Sequence, residues 1–578
     1  MKRIIGAFDT TKEINNSNED LIAHKNILID SKFEIFVIED NKIFLSGKIY
    51  NRTELETKYD FKATSEAELI LYLYINYNFN SIKQINGEYT FIILTRFDTI
   101  ICRDRHGCGL PIFYTERYFS NSLNFLFEYS KLKKEINIEA IATFLGLGYI
   151  PSPLSPIKYV KKMRAGGFLL YKHGTSVIES NLFDFEDFTK ENNSKYDSFD
   201  LINEKFNELV QNAIDSREKN HENIELIDFQ NITKSYILKS KNTTISSNYN
   251  KNDNIKHHEI NNLPEIIRNF EIPFNDYNII HNYLFFEKIK KDNPDILLNF
   301  NGIDYLLGTN ASNISNYIKI KKNRTIKIFK LIKRLVSLPV FDKYKKIYKF
   351  RILINRILNI YIIGRCGFTK KQITKLLKSN YKSFTYSYQN SLPAYSNNFD
   401  DAFISHNYFI DIKQSLNEIE TYQMSVLAQN LNISISYPLL DNNIYNLLKS
   451  IPLDYKINSN SLRSKKDKNI TGQPNNLIKS TLKSDFFLHI NQANYLYDAN
   501  LRKKLYKYML NSDATKNLFN KDFLTNFFTN FEKEIISKNM INKTLYDLSF
   551  QFFNLLILNI WWDQFINNKK GTTLQDFY

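Results

Sequence analysis

Glycine and aspartate two positions apart, just after an apolar run, are the residues of this chain best placed to do chemistry. The stretch from Ile296 to Thr309 reads I-L-L-N-F-N-G-I-D-Y-L-L-G-T. Its first half has the composition of a buried strand, its middle turns polar, and its end reopens as an amphipathic helix start. The carboxyl end of a parallel strand is where α/β folds hold ligands, and Gly302 beside Asp304 offers close backbone approach next to a carboxylate. A buried strand followed by an ordinary G-x-D turn is the plain alternative. Elsewhere, Lys234 at a helix start can meet a phosphate as a point charge or stand as a surface lysine. His257-His258-Glu259 does not have metal-ligand spacing and reads as a solvent-facing strand entrance.

These groups need a scaffold, and 578 residues are enough for two to four domains with ample core. The three cysteines, Cys102, Cys108 and Cys366, form no CxxC pair, which argues against structural zinc and fits a reducing compartment. No apolar run is long enough to span a bilayer, and Met1 to Gly6 is too short before Asp9 for a secretory signal. The expectation is a cytoplasmic protein without a membrane span. The net charge of +16 accompanies heavy use of Asn, Ile, Lys and Tyr. Coding bias towards lysine accounts for it, and no nucleic-acid role is expected.

Along the chain, Arg3 to Ile49 carries short apolar alternations separated by turn signals, a run of strands. Ala67 to Tyr77 has helical spacing, and Tyr89–Thr95 with Thr99–Arg103 reads as a strand pair turning at Phe97-Asp98. Strands, helix and strands again predict an α+β arrangement. Ser180 to Asp200 is acidic, aromatic and rich in Asn and Ser, the expected connector. Leu201 to Glu218 then spaces its apolar residues as a helix, Ile224 to Asp228 reads as a strand, and Ile279 to Ile289 as an amphipathic helix before Ile296. Strand, helix and strand predict a parallel, doubly wound sheet. From Ile318 to Arg356 the chain is strongly basic, with helical spacing broken at Pro339.

Four ordered segments in the first third resemble the class II glutamine amidotransferase half of asparagine synthetases, an Ntn-hydrolase fold. Ser46-Gly47-Lys48-Ile49-Tyr50-Asn51 resembles that family's N-G-E-I-Y-N, and Thr64-Ser65-Glu66-Ala67-Glu68-Leu69 its T-S-D-T-E-V. Asn86-Gly87-Glu88-Tyr89-Thr90-Phe91, Cys102 to Gly107 and Leu110 to Tyr114 resemble N-G-x-F-A-F…R-D-R-x-G-x-K-P-L-Y-Y. Gly148 to Pro153, continuing to Gly166-Gly167, resembles G-Y-x-P-x-P…P-G. The resemblance implies glutamine hydrolysis by an N-terminal cysteine whose own α-amine is the base. Position 2 is Lys2, however. Ser46 and Lys48 stand where Asn and Glu would bind glutamine beside Gly47, and Glu66 replaces the Asp that takes its amine. Lys48 sets a positive charge where the glutamine ammonium belongs. Glutaminase chemistry is therefore expected to be lost.

The remainder resembles the synthetase half in outline. Leu298, Gly302, Asp304, Leu306 and Gly308 match the L-S-G-D-G-G-D-E-L-F-G-G pyrophosphate loop, while Asn299, Phe300, Asn301, Ile303 and Tyr305 replace its Ser, Gly, Asp, Gly and Glu. Phe229-Gln230-Asn231-Ile232-Thr233-Lys234 occupies the S-G-G-x-D-S loop, whose glycines bring backbone N–H groups to phosphate. Thr243 to Ser247 and His257-His258-Glu259 resemble the second strand and the H-H-E segment, and Glu271 to Asp276 resembles D-E-P-F-A-D. Tyr437-Pro438-Leu439-Leu440-Asp441 resembles V-P-F-L-D, with Ser434 and Ser436 in place of Glu and Arg. The catalytic lysine falls near Leu462, beside Arg463 and Lys465.

The expected organisation is an amidotransferase-like domain over 1–180, a linker over 181–200, and a synthetase-like α/β domain with a helical C-terminal part over 201–578. In the family ATP adenylates a carboxylate that an amine then displaces; β-lactam synthetases and lasso-peptide cyclases are relatives lacking the cysteine. Two functions are implied. One is a degenerate homologue that binds or scaffolds, its partner an active paralogue, a peptide, a small molecule of the same pathway, or a second copy. The other is an amide-forming ligase using Gly302, Asp304 and Arg463 or Lys465, with ATP and magnesium as cofactors.

Overall fold

The computed structural model describes residues 3–9, 21–24, 26–183, 199–219, 221–227, 242–245, 257–276, 278–307, 367–379, 408–451, 496–536 and 543–578. Two six-stranded antiparallel sheets form the N-terminal part. The first contains Ile4–Ala7 between Ile27–Ile29 and Tyr118–Ser120. The second runs in the order Ile178–Asn181, Gly167–Lys172, Asp98–Arg103, Gly87–Leu94, Asn41–Ile49 and Glu34–Ile38.

Register explains why the inner strands of the second sheet are nearly all apolar. Phe44, Ile92, Ile101 and Leu169 are cross-strand neighbours and pack with Ile4, Phe8 and Phe119 of the first sheet. On the opposite face Leu45, Phe91 and Cys102 pack beneath Leu69, Ile70 and Leu73 of the helix Glu66–Ile82. With both faces covered, period-two alternation of apolar and polar residues is not required. That helix starts where Ser65 accepts the Glu68 amide at 3.1 Å, an N-cap that closes one open backbone donor. Helices Leu123–Ser130 and Ile138–Leu147 cover the other side of the first sheet.

The C-terminal part is built on a parallel sheet in the order Asn242–Ile245, Asn223–Ile227, Ile296–Asn299, Ile435–Ser436. Leu226 pairs with Leu298 and Ile227 with Asn299, so the two expected phosphate-loop strands are neighbours in one sheet. The chain steps outward from Asn223–Ile227 to Asn242–Ile245, then back past it to Ile296–Asn299. Phe199–Glu218 and Ile279–Asp292 are the helices expected from spacing. Asp411–Glu420 is a ten-residue π-helix that the spacing did not suggest. It continues into the α-helix Thr421–Asn430.

His257–Asn262 is a 3-10 helix leading into Leu263–Phe270, so the H-H-E segment is not the strand entrance expected. The helix Lys543–Trp561 has Phe550, Phe552, Phe553, Leu555, Leu556 and Leu558 fully buried, which places it inside the fold rather than on it. One apolar core runs from Ile141 and Phe144 through Leu226 and Leu298 to Phe553, joining the N-terminal and C-terminal parts. The basic stretch 318–356 lies outside the described residues. No helix among the described residues is long and apolar enough to cross a membrane.

Candidate functional site

Ser46, Gly47 and Lys48 end the long strand Asn41–Ile49, and Glu66 begins the helix packed over it. Gly47 has φ of +127°, and a Cβ there would lie 2.0 Å from the Glu88 carbonyl oxygen. Only glycine lets these two strands approach so closely. Ser46 is buried. Lys48 Nζ lies 3.9 Å from Glu66 Oε1, and Glu66 Oε2 accepts the Ile49 amide at 2.9 Å. Burial raises the Glu66 pKa, opposed by the Lys48 charge and the Ile49 amide. The lysine is 67% exposed against 16% for the glutamate, so water screens the pair. The structure thus brings Ser46, Gly47, Lys48 and Glu66 together and supplies the carboxylate with one hydrogen-bond donor, the Ile49 amide, and one cation at 3.9 Å. Lys2 lies outside the described residues.

A buried polar network joins this strand pair to the parallel sheet. Glu88, opposite Lys48 in register, accepts at Oε1 from Ser436 Oγ at 2.9 Å and from the Tyr437 amide at 2.8 Å. The same oxygen lies 3.3 Å from Arg217 Nε and Nη2. Arg217 also donates from Nε to Ser436 Oγ at 3.0 Å and from Nη1 to Asp441 Oδ2 at 3.1 Å. Tyr50 donates to Glu88 Oε2 at 3.1 Å, with its ring 3.8 Å beneath the guanidinium. Asn86 Nδ2 reaches the same Asp441 oxygen at 2.8 Å. Burial alone would lower the Arg217 pKa, but Glu88, Tyr50 and Asp441 raise it, and Arg217 stays cationic. Two desolvated carboxylates here share one guanidinium, each held by further donors, which is the condition for burying such charges.

At the carboxyl end of Ile296–Asn299 the described part of the expected phosphate loop packs against apolar neighbours. Phe300 is buried and its amide donates to the Ile227 carbonyl at 2.9 Å. Asn299 Oδ1 accepts the Asn301 amide at 2.9 Å. Gly302 has φ of +103°, and a Cβ there would meet Leu416 Cδ1 at 3.0 Å and Leu440 Cδ2 at 3.2 Å. Its close approach is therefore to two leucines. Asp304 stands in the first turn of the short helix Ile303–Leu307. Magnesium-bound nucleotide needs carboxylates for the ion and converging N–H groups for phosphate. Asp304, with Asn301 and Tyr305 where the family has acids and Phe300 packed inside, does not fit that group. Lys234, Arg463 and Lys465 lie outside the described residues.

Residues 36–181 match the family described as glutamine amidotransferase domain. The chain is 29% identical over 165 residues to a putative asparagine synthetase (glutamine-hydrolyzing) 2 of Methanocaldococcus jannaschii, covering 27% of this chain and 31% of that protein. It is 24% identical over 184 residues to asparagine synthetase (glutamine-hydrolyzing) 3 of Bacillus subtilis, covering 30% and 29%. The chain is asparagine synthetase-like. These matches span less than a third of either relative's length. A solved glutamine phosphoribosylpyrophosphate amidotransferase from B. subtilis aligns at 12% identity over 39% of this chain and 54% of its own, with a TM-score of 0.21, too low to show a common fold.

Glu88 and Arg217 are the residues of this asparagine synthetase-like chain that sequence reasoning missed. A signal was there. Phe206, Val210, Ala213, Ile214 and Arg217 fall on one buried stripe of the helix Phe199–Glu218, and an arginine on an apolar stripe must find a buried partner. Asp441, singled out from the motif Y-P-L-L-D, has two roles. It caps the helix Asn442–Ser450 by accepting the Asn443 amide at 3.0 Å, and it is the second carboxylate on Arg217.

Proposed function

We propose that this chain is an asparagine synthetase homologue that no longer hydrolyses glutamine or adenylates a carboxylate, and that it works as a binding or scaffold protein. The observation that carries the reading is the Lys48–Glu66 contact at 3.9 Å. The chain's own ammonium lies beside the carboxylate that, by the resemblance, would take the amine of glutamine. A second ammonium there meets repulsion and finds its acceptor already engaged. By the same resemblance Lys2 stands where the nucleophilic cysteine is expected. The domain division at 1–180, 181–200 and 201–578 belongs to the same proposal, as does a cytoplasmic location.

An ATP-dependent amide-forming ligase without glutaminase is the second reading. Asp304 at the carboxyl end of a parallel strand favours it. ATP and magnesium would be required only there; of its candidates Asp304, Lys234, Arg463 and Lys465, Asp304 alone is among the described residues. Isothermal titration of the full chain with Mg-ATP, and separately with glutamine, tests the first reading. No heat of binding is expected from either ligand. Saturable Mg-ATP binding with release of pyrophosphate in the presence of a carboxylate and an amine would establish the ligase instead.

A further inference from the structure

A cavity of about 510 Å³ lies away from both regions, between the helix Leu263–Phe270, the end of the helix Lys543–Trp561 and the C-terminal loop. Its size is that of a small-molecule site, which typically spans roughly 300–1,000 Å³. Ile267, Trp561 and Phe565 form an apolar floor, each buried in the fold. Arg268, Lys569 and Lys570 bring three positive charges to its wall.

The two carboxylates that line the cavity are already committed. Glu271, which opens the E-I-P-F-N-D segment, accepts Ser122 Oγ at 2.6 Å, the Leu123 amide at 2.5 Å and Asn124 Nδ2 at 3.1 Å. Burial raises its pKa, opposed by these donors at the start of the helix Leu123–Ser130. Asp576 accepts the Thr572 and Thr573 amides, both at 2.8 Å. None of the three cations forms an ion pair within 4.0 Å among the described residues, although the Lys569 charge acts at longer range on Asp563 and Asp576. Arg268 donates to the Gly571 carbonyl, and Lys569 sits 4.7 Å above the Phe577 ring.

The lysines are carried on a loop that is held in place. Gly571 O accepts from Arg268 and also from Gln564 Nε2 at 3.3 Å. The Lys569 amide donates to the Asp563 carbonyl at 2.8 Å. Lys134 Nζ binds Phe565 O at 2.6 Å and Asn568 Oδ1 at 3.2 Å, adding a further positive charge beside the rim. A fixed rim spares a ligand the entropy of ordering it.

We propose that this cavity binds a small organic anion, a phosphate or carboxylate head joined to an apolar or planar body. The head meets Arg268, Lys569 and Lys570, and the body rests on the apolar floor. Isothermal titration of the full chain with phenyl phosphate, benzoate and inorganic phosphate tests this, the tighter of the two organic anions identifying the head. At least one organic anion is expected to bind at one per chain, more tightly than inorganic phosphate, which lacks the body. The pair Lys569→Glu with Lys570→Glu should weaken binding at least about tenfold, or 1.4 kcal/mol. Lys569→Gln with Lys570→Gln should act in the same direction while keeping chain length, with the unfolding midpoint as the control for folding. Absence of binding by both organic anions at millimolar concentration overturns the proposal. So does binding that neither variant weakens.

Discussion

Arg217 Nη1 donates to Asp441 Oδ2 at 3.1 Å across 224 residues of sequence, while the same guanidinium reaches Glu88, 129 residues away in the other direction. One side chain thus ties the second antiparallel sheet to the start of a helix that follows the parallel sheet. Removing it would leave two buried carboxylates without a counter-charge. Arg217→Met is expected to cost about 3–5 kcal/mol, the range for breaking a buried ion pair from one side. Arg217→Lys should also be destabilising, because one ammonium cannot serve Glu88, Ser436 and Asp441 together. Urea unfolding measures both, and a loss below about 1 kcal/mol for the methionine variant would assign the joining of the two parts to the apolar core alone.

Glutamate should not accumulate when the pure protein is incubated with glutamine. On the proposed reading, Lys48 stands where the substrate ammonium would bind and Lys2 where the resemblance puts the nucleophile. On that reading Lys48→Glu alone should not restore activity, since Lys2 remains at the nucleophile's position. Turnover above a heat-inactivated control would refute the reading of this pocket.

His106 should make stability depend on acid. Its ring is buried, Nδ1 donates to Asn417 Oδ1 at 3.2 Å, and burial together with Arg105 pushes its pKa down to about 3. The folded state therefore holds it neutral while the unfolded chain protonates near 6.5. Its contribution is complete above that value and is lost as pH falls from 6.5 towards 3, by at most about 1.4 kcal/mol per pH unit. In chemical unfolding at a series of pH values, His106→Gln should lose less stability than the natural protein between about pH 6.5 and 5. Equal slopes for the two proteins in that window would mean that His106 is not held neutral.

Mg-ATP at millimolar concentration is expected to leave the thermal midpoint unchanged. Phe300 is buried at the carboxyl end of its strand, and Asn301 and Tyr305 supply no carboxylate beside Asp304. A site with a dissociation constant a hundredfold below the ligand concentration would add roughly 2.7 kcal/mol, which a melt resolves easily. An upward shift that Asp304→Ala abolishes would favour the ligase reading.

What the sequence by itself determined is local. Strand segments such as Ile296–Leu298 are apolar without interruption because both faces are covered, and helices such as Glu66–Ile82 announce themselves by spacing and an N-cap serine. The motifs around Lys48, Glu66 and Asp441 were legible for the same reason, since each lies within a few residues of chain. Tertiary structure alone decided which buried charges would meet. Arg217, Glu88 and Asp441 are far apart in sequence, and a lone acid or arginine in an apolar setting says that a partner exists without saying which. Gly302 shows the same division: its presence marked a backbone constraint, but only packing revealed that the constraint comes from Leu416 and Leu440, since close approach is a property of neighbours that the local sequence does not contain.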